Sequence, residues 1–272
     1  MIPYAFNYSR ASSLAEAQDL FAKAQEAKFL AGGQTLIPAM KQRLSAPSDL
    51  IDISRLQELS FVEERGGTVA IGAGTRHGDV AASPLVQRKI PALAYLAEQI
   101  GDPAVRNLGT LGGALATSDP AADYPAAVLG LGADIITMRR TIPAADYFLG
   151  LFQTALEDGE IITEVRFPVP QRAGYAKFRN PASHYAVVGV FVAESDAGVR
   201  VAVTGAGPCA FRIGQMEEAL AQHFDANSVA GISVSADDLN SDLHASAEYR
   251  SHLVTVMAKR AVEAAMGIGN DR

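Results

Sequence analysis

Residues 106–125 read RNLGTLGGALATSDPAADYP, and this stretch decides how the rest of the chain is interpreted. Its glycine pair, Gly112 and Gly113, lets a backbone lie close to a ligand because no Cβ stands in the way. Successive backbone N–H groups at such a turn can form a concave anion site. Asp123, about ten residues further on, can accept hydrogen bonds from sugar or polyol hydroxyls. The stretch therefore predicts a site for a nucleotide with a sugar-like chain; the alternative is a Gly/Ala-rich tight turn inside a packed domain.

A second glycine turn lies in residues 29–44, FLAGGQTLIPAMKQRL. A short buried strand is predicted up to Ala31, followed by a turn at Gly32-Gly33 and a helix with Pro38 in its first turn. A helix N-terminus behind a glycine turn favours phosphate, although an ordinary strand-to-helix connection has the same pattern. The segment is neither a P-loop nor a G-x-G-x-x-G fingerprint, so a standard Rossmann site is disfavoured.

Composition excludes several classes of protein. The 272 residues are 49% hydrophobic, enough for one large domain or two to three smaller ones. A formal charge of -7 and a pI of about 5.3 argue against a nucleic-acid partner. A single cysteine, Cys209, excludes an internal disulfide, a thiolate iron–sulfur cluster and a Cys-rich zinc site within this chain. The start lacks a signal-peptide pattern and no apolar run is long enough for a membrane span, which predicts a cytoplasmic protein.

The remaining pattern alternates short strands and helices. A helix is predicted over residues 14–27, capped by Ser12 or Ser13, and strands over 49–53, 61–63, 68–72, 133–138 and 160–167. Pro168 and Pro170 mark a break in composition. Beyond it we expect antiparallel strands over 174–178, 186–194 and 199–205, and helices over 216–224 and 249–266. Arg250 is predicted on the wet side of the last helix.

Four segments carry a resemblance when taken in order: AGGQTLIPAMKQRL, TLGGALATSDPAADYPAAVLGLGA, IPAADYFLGLFQTALEDGEIITEVRFP and LNSDLHASAEYRSHLVTVMAKRAVEAA. Together they resemble the medium, FAD-binding subunit of molybdenum hydroxylases, the family of carbon monoxide dehydrogenase and xanthine dehydrogenase. The resemblance covers nearly the whole chain.

This resemblance implies an α+β fold. It consists of a p-cresol methylhydroxylase/vanillyl-alcohol oxidase-type FAD-binding domain made of two α/β subdomains, residues 1–55 and 56–170. A C-terminal domain, residues 171–272, would be an antiparallel sheet with helices. Relatives carry a hairpin where Met138 here runs directly into Arg139-Arg140, so either the hairpin is short or residues are absent.

The resemblance also implies the cofactor site. The two glycine loops would hold the FAD diphosphate, Asp123 would bond FAD hydroxyls, and Tyr185 would stack on the isoalloxazine. The full set of implied FAD contacts is Ala31, Gly32, Gly33, Gln34, Thr35, Leu36, Thr110, Leu111, Gly112, Gly113, Ala114, Asp123, Ile162, Lys177 and Tyr185. The alternatives are a helix cap for Asp123, a solvated strand lysine for Lys177 and a core position for Tyr185. Asp119 is interpreted as a turn residue and His77 as a structural histidine.

The implied function is electron transfer. No nucleophile–base pair, metal cluster or acid dyad is evident, so the cofactor would supply the chemistry. Electrons would pass from a molybdenum-binding large subunit, through a small subunit with two [2Fe-2S] clusters, to this FAD and then to an external acceptor. A dimer of heterotrimers is expected. A standalone FAD oxidoreductase of the same fold and a scaffold subunit without flavin are the alternatives.

Overall fold

A three-stranded parallel sheet forms the N-terminal layer of the protein. The computed structural model describes residues 2–268. The strands lie in the order β1-β3-β2, with β1 at Asn7–Arg10, β2 at Ala27–Leu30 and β3 at Asp49–Asp52. Two helices connect them, α1 (Leu14–Lys23) and α2 (Leu36–Lys41). Ser13 Oγ caps α1 by accepting from the N–H of Glu16, while the Glu16 carboxylate accepts from Ser12 N. A capping box is thus present, and two neighbouring serines make its two hydrogen bonds.

The second layer is a five-stranded antiparallel sheet with helices packed on it. Its order is β4-β5-β10-β6-β7, the strands being β4 (Val62–Arg65), β5 (Thr68–Gly72), β6 (Asp134–Thr137), β7 (Thr141–Pro143) and β10 (Ile162–Pro168). Between β5 and β6 come six helices: α3 (His77–Ala82), α4 (Pro84–Lys89), α5 (Pro91–Glu98), α6 (Pro103–Arg106), α7 (Leu111–Thr117) and α8 (Tyr124–Leu131). All residues of α8 are buried, which explains its uninterrupted apolar sequence.

The segment around Met138 forms a complete, tight hairpin. Strands β6 and β7 pair in antiparallel register, and Thr137 N donates to Arg140 O over 2.9 Å. Thr137 Oγ1 also accepts from the N–H groups of Arg139 and Arg140. The turn contains no glycine or asparagine, and the hydrogen bonds to the Thr137 hydroxyl stabilise it instead. The hairpin formed by this sequence is therefore short and tight.

The sequence around Tyr147 to Leu149 predicts a short helix, but a small hairpin forms there instead. A 3₁₀ turn spans Ala144–Asp146, and the chain then forms β8 (Phe148–Gly150) and β9 (Gln153–Thr154). Phe152, in the turn between them, has a φ of +53°. The local sequence FLGLFQT is too short to form a stable helix, and pairing of the two strands satisfies its backbone groups instead.

The C-terminal layer is a four-stranded antiparallel sheet with two helices. Strands β11 (Arg172–Arg179), β12 (Ala186–Ser195), β13 (Gly198–Thr204) and β14 (Phe211–Arg212) lie in sequence order, with α9 at Gly214–Gln222 and α10 at Ala247–Ala265. Strand β12 is buried along its first eight residues because α8 contacts the sheet on one side and α10 on the other. Its run AVVGVFVA therefore lacks the alternation of a half-exposed strand. The mixed α and β architecture agrees with the sequence prediction, whereas the domain boundaries at residues 55 and 170 stay a prediction.

The predicted exposure of Arg250 was wrong. Ser246 caps α10. Arg250, four residues further on, is only 4% exposed. Its Nη1 donates to the carbonyls of Val187 and Gly205, and its Nη2 pairs with Asp242 at 2.7 Å. A guanidinium with several donors can satisfy carbonyls at strand ends, which a helical periodicity does not reveal.

Hydrogen bonds from the Thr204 hydroxyl and from two backbone N–H groups attach the C-terminal sheet to the loop at residues 119–122. Thr204 Oγ1 lies 2.6 Å from the carbonyl oxygen of Ala122, Gly205 N donates to Pro120 O, and Ala186 N donates to Ala121 O. This loop leads directly into Asp123, so the sheet helps to fix that residue. Within residues 2–268, no helix is long and apolar enough to cross a bilayer.

Candidate functional site

A cavity of about 480 Å³ lies between the loop that follows β2 and the segments that surround α7. The two predicted glycine loops, about 80 residues apart in sequence, both contribute to its wall. The sequence-predicted site residues that line the cavity are Ala31, Gly32, Gly33, Gln34, Thr35, Leu36, Thr110, Gly113, Ala114, Asp123 and Tyr185. One continuous space therefore unites most of the predicted site.

The first glycine loop, residues 31–35, joins β2 to α2 and presents unused donors. Gly33 has a φ of +71°, a conformation that L side chains rarely adopt. A Cβ on Gly32 would lie 2.1 Å from the carbonyl oxygen of Leu108. Within residues 2–268, the N–H groups of residues 32–35 have no hydrogen-bond acceptor. The loop thus combines close backbone approach with free donors, as an anion site requires.

The second glycine loop, residues 109–114, is held rigidly against strand β5 and the turn after it. Thr110 caps α7, its Oγ1 accepting from Gly113 N at 3.1 Å. Leu111 N donates to Thr75 O, and Gly112 N donates to Ala73 O at 2.8 Å. A Cβ on Gly112 would lie 2.6 Å from the Cβ of Ala73. Leu111 and Gly112 are consequently buried behind the wall and do not line the cavity, whereas Gly113 does.

The two loops touch each other at one glycine. The Cβ that would be built on Gly32 also lies 2.8 Å from the Cα of Gly109. Only a glycine lets the first loop come this close to the second. The cavity between them is therefore a feature of both loops, and neither forms it alone.

Asp123 lies at the buried side of the cavity with two polar partners. Its side chain is 4% exposed, accepts a hydrogen bond from the hydroxyl of Tyr175, and lies 2.8 Å from Lys177 Nζ. Burial raises the pKa of Asp123, and the nearby ammonium opposes this shift. Asp123 makes no side-chain cap at α8; its carboxylate is held by these two partners, and the residue lines the cavity.

Lys177 stands behind Asp123 and is not a wall residue. Its side chain is 4% exposed, and Nζ also donates to the carbonyl of Gln99 at 2.8 Å. The alternative of a solvated strand lysine does not describe this side chain. In the structure Lys177 supports the Asp123 carboxylate.

Tyr185 and Ile162 have different surroundings. Tyr185 lines the cavity and is 43% exposed, so it is not a core residue. Burial, followed by the charges of Asp119 and Asp123, raises the pKa of its hydroxyl. Ile162 is buried in β10 opposite Thr137 and does not reach the wall. Asp119 accepts from Ala121 N at 2.8 Å, which is the turn role expected from sequence.

Several wall residues were missed by the sequence analysis. They are Lys28, Phe29, Leu30, His77, Ile100, Gly101, Val105, Gly109, Ala116, Thr117, Ala122, Tyr124 and Ser183. Most are apolar or small and give no chemical signal. His77 is the exception, since a lone histidine next to the turn at residues 72–75 could have been weighed as a site residue.

The described residues around the cavity are suited to binding a ligand. Residues 2–268 contain no group of three or more His, Cys, Asp or Glu side chains placed to hold a metal ion. The wall offers backbone N–H groups, hydroxyls and the carboxylates of Asp119 and Asp123. These groups can bind a phosphate together with hydroxyl-bearing carbons.

Comparison with known proteins places this arrangement in context. Residues 4–170 match the family described as the FAD binding domain in molybdopterin dehydrogenase. The chain is 37% identical over 282 residues to the carbon monoxide dehydrogenase medium chain of Hydrogenophaga pseudoflava, covering 97% of this chain and 98% of the relative. It is 36% identical over 276 residues to the nicotine 6-hydroxylase medium subunit of Paenarthrobacter nicotinovorans, covering 95% and 96%.

Solved structures agree over the same length. A carbon monoxide dehydrogenase from Hydrogenophaga pseudoflava, lacking the Mo-pyranopterin moiety of its cofactor, superimposes with a TM-score of 0.87 at 35% identity. Quinoline 2-oxidoreductase from Pseudomonas putida 86 gives a TM-score of 0.90 at 28% identity. Each superposition covers 98% of this chain and 99% of the matched chain.

Proposed function

This chain belongs to the FAD-binding family of molybdopterin dehydrogenases, and on that premise we propose that it transfers electrons through bound FAD from a partner's iron–sulfur clusters to an external acceptor. It is an oxidoreductase subunit with FAD as its cofactor. The observation that carries the proposal is the meeting of two glycine loops around one cavity. We also assign the fold to the p-cresol methylhydroxylase/vanillyl-alcohol oxidase type, with subdomains at 1–55 and 56–170.

The residues present fit FAD. The free N–H groups of the first loop and the Thr110 hydroxyl of the second suit a diphosphate, and Gly32 leaves the necessary space. Asp123 provides an acceptor for hydroxyls on the buried side of the same cavity. Tyr185 supplies an aromatic face at the cavity wall, suited to a flavin ring. The proposed contacts are Ala31, Gly32, Gly33, Gln34, Thr35, Leu36, Thr110, Gly113, Ala114, Asp123 and Tyr185.

Three other predicted residues receive supporting roles. Leu111 and Gly112 fix the second loop through their N–H groups, and Lys177 holds the Asp123 carboxylate. Direct contact of Lys177 or Ile162 with FAD stays a prediction. When bound, FAD supplies one- and two-electron transfer, while the protein binds it, orients it and limits its exposure to water.

The iron–sulfur clusters are assigned to another chain. This sequence contains one cysteine, whereas a thiolate cluster needs several. The carbon monoxide dehydrogenase and nicotine 6-hydroxylase relatives carry the names medium chain and medium subunit. We therefore propose a molybdenum-binding large subunit and a small subunit with two [2Fe-2S] clusters as partners, assembled as a dimer of heterotrimers in the cytoplasm.

The test compares the purified chain with its native complex. The isolated chain should show the visible absorption of bound flavin and should be bleached by dithionite, but not by candidate organic substrates. The complex recovered with its molybdenum-containing partner should be bleached by its substrate. Flavin reduction by substrate in the isolated chain would identify a standalone oxidoreductase, and a colourless purified chain that does not take up FAD would identify a scaffold.

A further inference from the structure

Asp119 is a carboxylate in the cavity wall that forms no ion pair with any side chain of residues 2–268. The residue is half-buried, and its Oδ1 accepts from Ala121 N at 2.8 Å. Its other oxygen, Oδ2, receives no hydrogen bond from the described part of the chain. Oδ2 is also not among the fully buried atoms without a partner. A ligand in the cavity can therefore approach a negative charge that the protein leaves uncompensated.

Asp119 lies beside Tyr185, the residue proposed to face the flavin ring. Ala186 N donates to Ala121 O at 3.2 Å, which fixes the chain around Tyr185 against the loop at residues 119–122. Both side chains line the cavity. The charge of Asp119 also adds to burial in raising the pKa of the Tyr185 hydroxyl, as expected for neighbouring groups. The carboxylate is thus at the part of the cavity assigned to the ring.

The other charged groups of the wall do not cancel this charge. Asp123 is compensated by Lys177, which lies 2.8 Å away. Burial lowers the pKa of His77 to about 4, so its imidazole is neutral at neutral pH. Lys28 lines the cavity from β2, three residues before the first glycine loop, where a positive charge suits the diphosphate. Asp119 consequently gives the region next to Tyr185 a negative charge.

We propose that the Asp119 carboxylate lowers the reduction potential of the bound flavin. This role rests on the FAD site proposed above and concerns the energy of reduction. At neutral pH two electrons from the partner's clusters and one proton from water enter the ring, so that the ring gains a negative charge. A nearby carboxylate without a counter-charge raises the energy of the reduced ring more than that of the oxidised ring. A lower potential favours transfer of the electrons onward to an external acceptor.

The experiment measures the midpoint potential of the flavin in the full chain loaded with FAD, at about pH 8 so that Asp119 is ionised. Asp119→Asn removes the charge, while its side-chain oxygen can still accept from Ala121 N. The potential should rise by about 30 mV, which corresponds to a tenfold change in the equilibrium of a two-electron couple. By linkage, the affinity for reduced FAD should rise about tenfold more than the affinity for oxidised FAD. Asp119→Ser, which also keeps a turn acceptor without the charge, should give the same shift.

Asp225→Asn is the matched control, because Asp225 Oδ1 accepts from Asn227 N at 2.8 Å in the same kind of turn but the residue does not line the cavity. It should leave the potential unchanged, and Asp119→Glu, which retains the charge, should stay closer to wild type than Asp119→Asn does. An unchanged or lower potential in Asp119→Asn, or an equal shift in Asp225→Asn, would overturn the inference. Loss of FAD from both uncharged variants would also overturn it, because Asp119 would then hold the cofactor. If the wild-type chain itself did not bind FAD, the proposed function would fail, and this role with it.

Discussion

Replacing Lys177 with Met should destabilise the apoprotein strongly and in a pH-dependent way. The side chains of Lys177 and Asp123 are each 4% exposed and lie 2.8 Å apart. Removing one member of a buried ion pair leaves the other charge uncompensated, at a cost of about 3–5 kcal/mol. For a chain of 272 residues, roughly 2 °C of Tm per kcal/mol gives a fall of about 6–10 °C.

The pH dependence follows from the direction of the Asp123 pKa shift. Burial raises the pKa of this carboxyl in the folded state, and Lys177 opposes that rise. Without Lys177 the folded pKa rises further above its unfolded value, so the folded state binds the proton more tightly. Stability then falls as pH increases through the window between the unfolded and folded pKa values. The deficit of Lys177→Met should be largest at neutral pH and shrink as the pH is lowered.

Urea unfolding of the apoprotein at several pH values measures this effect. Lys89→Met is the matched control because Lys89 lies 2.7 Å from Glu64 in an ion pair whose side chains are 32% and 44% exposed; its loss should cost under about 1 kcal/mol. Adding Asp123→Asn to Lys177→Met should restore part of the stability. Equal deficits in the two lysine variants, or a deficit independent of pH, would refute the reasoning.

Three further predictions concern other parts of the chain. Gly32→Ala should abolish FAD retention, measured as flavin per protein, because its Cβ would lie 2.1 Å from the carbonyl oxygen of Leu108 and 2.8 Å from the Cα of Gly109 in the second loop. Gly214→Ala, with open space around its Cβ, should retain FAD. Glu160→Gln should make the free energy of unfolding depend less steeply on pH in the acid range. Hydrogen bonding from Arg140 lowers the pKa of Glu160 to about 2, so the stabilisation by this carboxylate is lost as the pH falls from about 4.5 towards 2. An unchanged pH dependence of the unfolding free energy would contradict this. Phe152→Asn should raise stability by up to about 1 kcal/mol, because Phe152 has a φ of +53° and asparagine tolerates that region better; a lower Tm would count against it.

Much of the cavity wall could be predicted because glycine-rich turns before helices can be recognised in a sequence. Gly33 and Gly113 precede or enter short helices, and such turns have a recognisable composition. Asp123 was likewise found from its spacing after the second loop. Each of these signals lies within a few consecutive residues, and the family resemblance connected the separate motifs along the chain.

The interactions that were not predicted depend on tertiary packing. Lys177 reaches Asp123 across 54 positions (177 minus 123), and no local pattern indicates that a strand lysine is buried. Arg250 has the spacing of an exposed helical residue, yet it bonds carbonyls at the ends of two strands. In each case a polar group acquires its role from a partner distant in sequence.

The attachment of the C-terminal sheet to residues 119–122 limits how the cofactor can enter and leave. Thr204, Gly205 and Ala186 bond to that loop, and Lys177 bonds to Asp123 beside it. An outward rotation of the sheet would break all of these contacts at the same time. Residues 172–204 therefore form a fixed side of the cavity, and any release of the proposed FAD that required this sheet to move outward would cost all of these contacts.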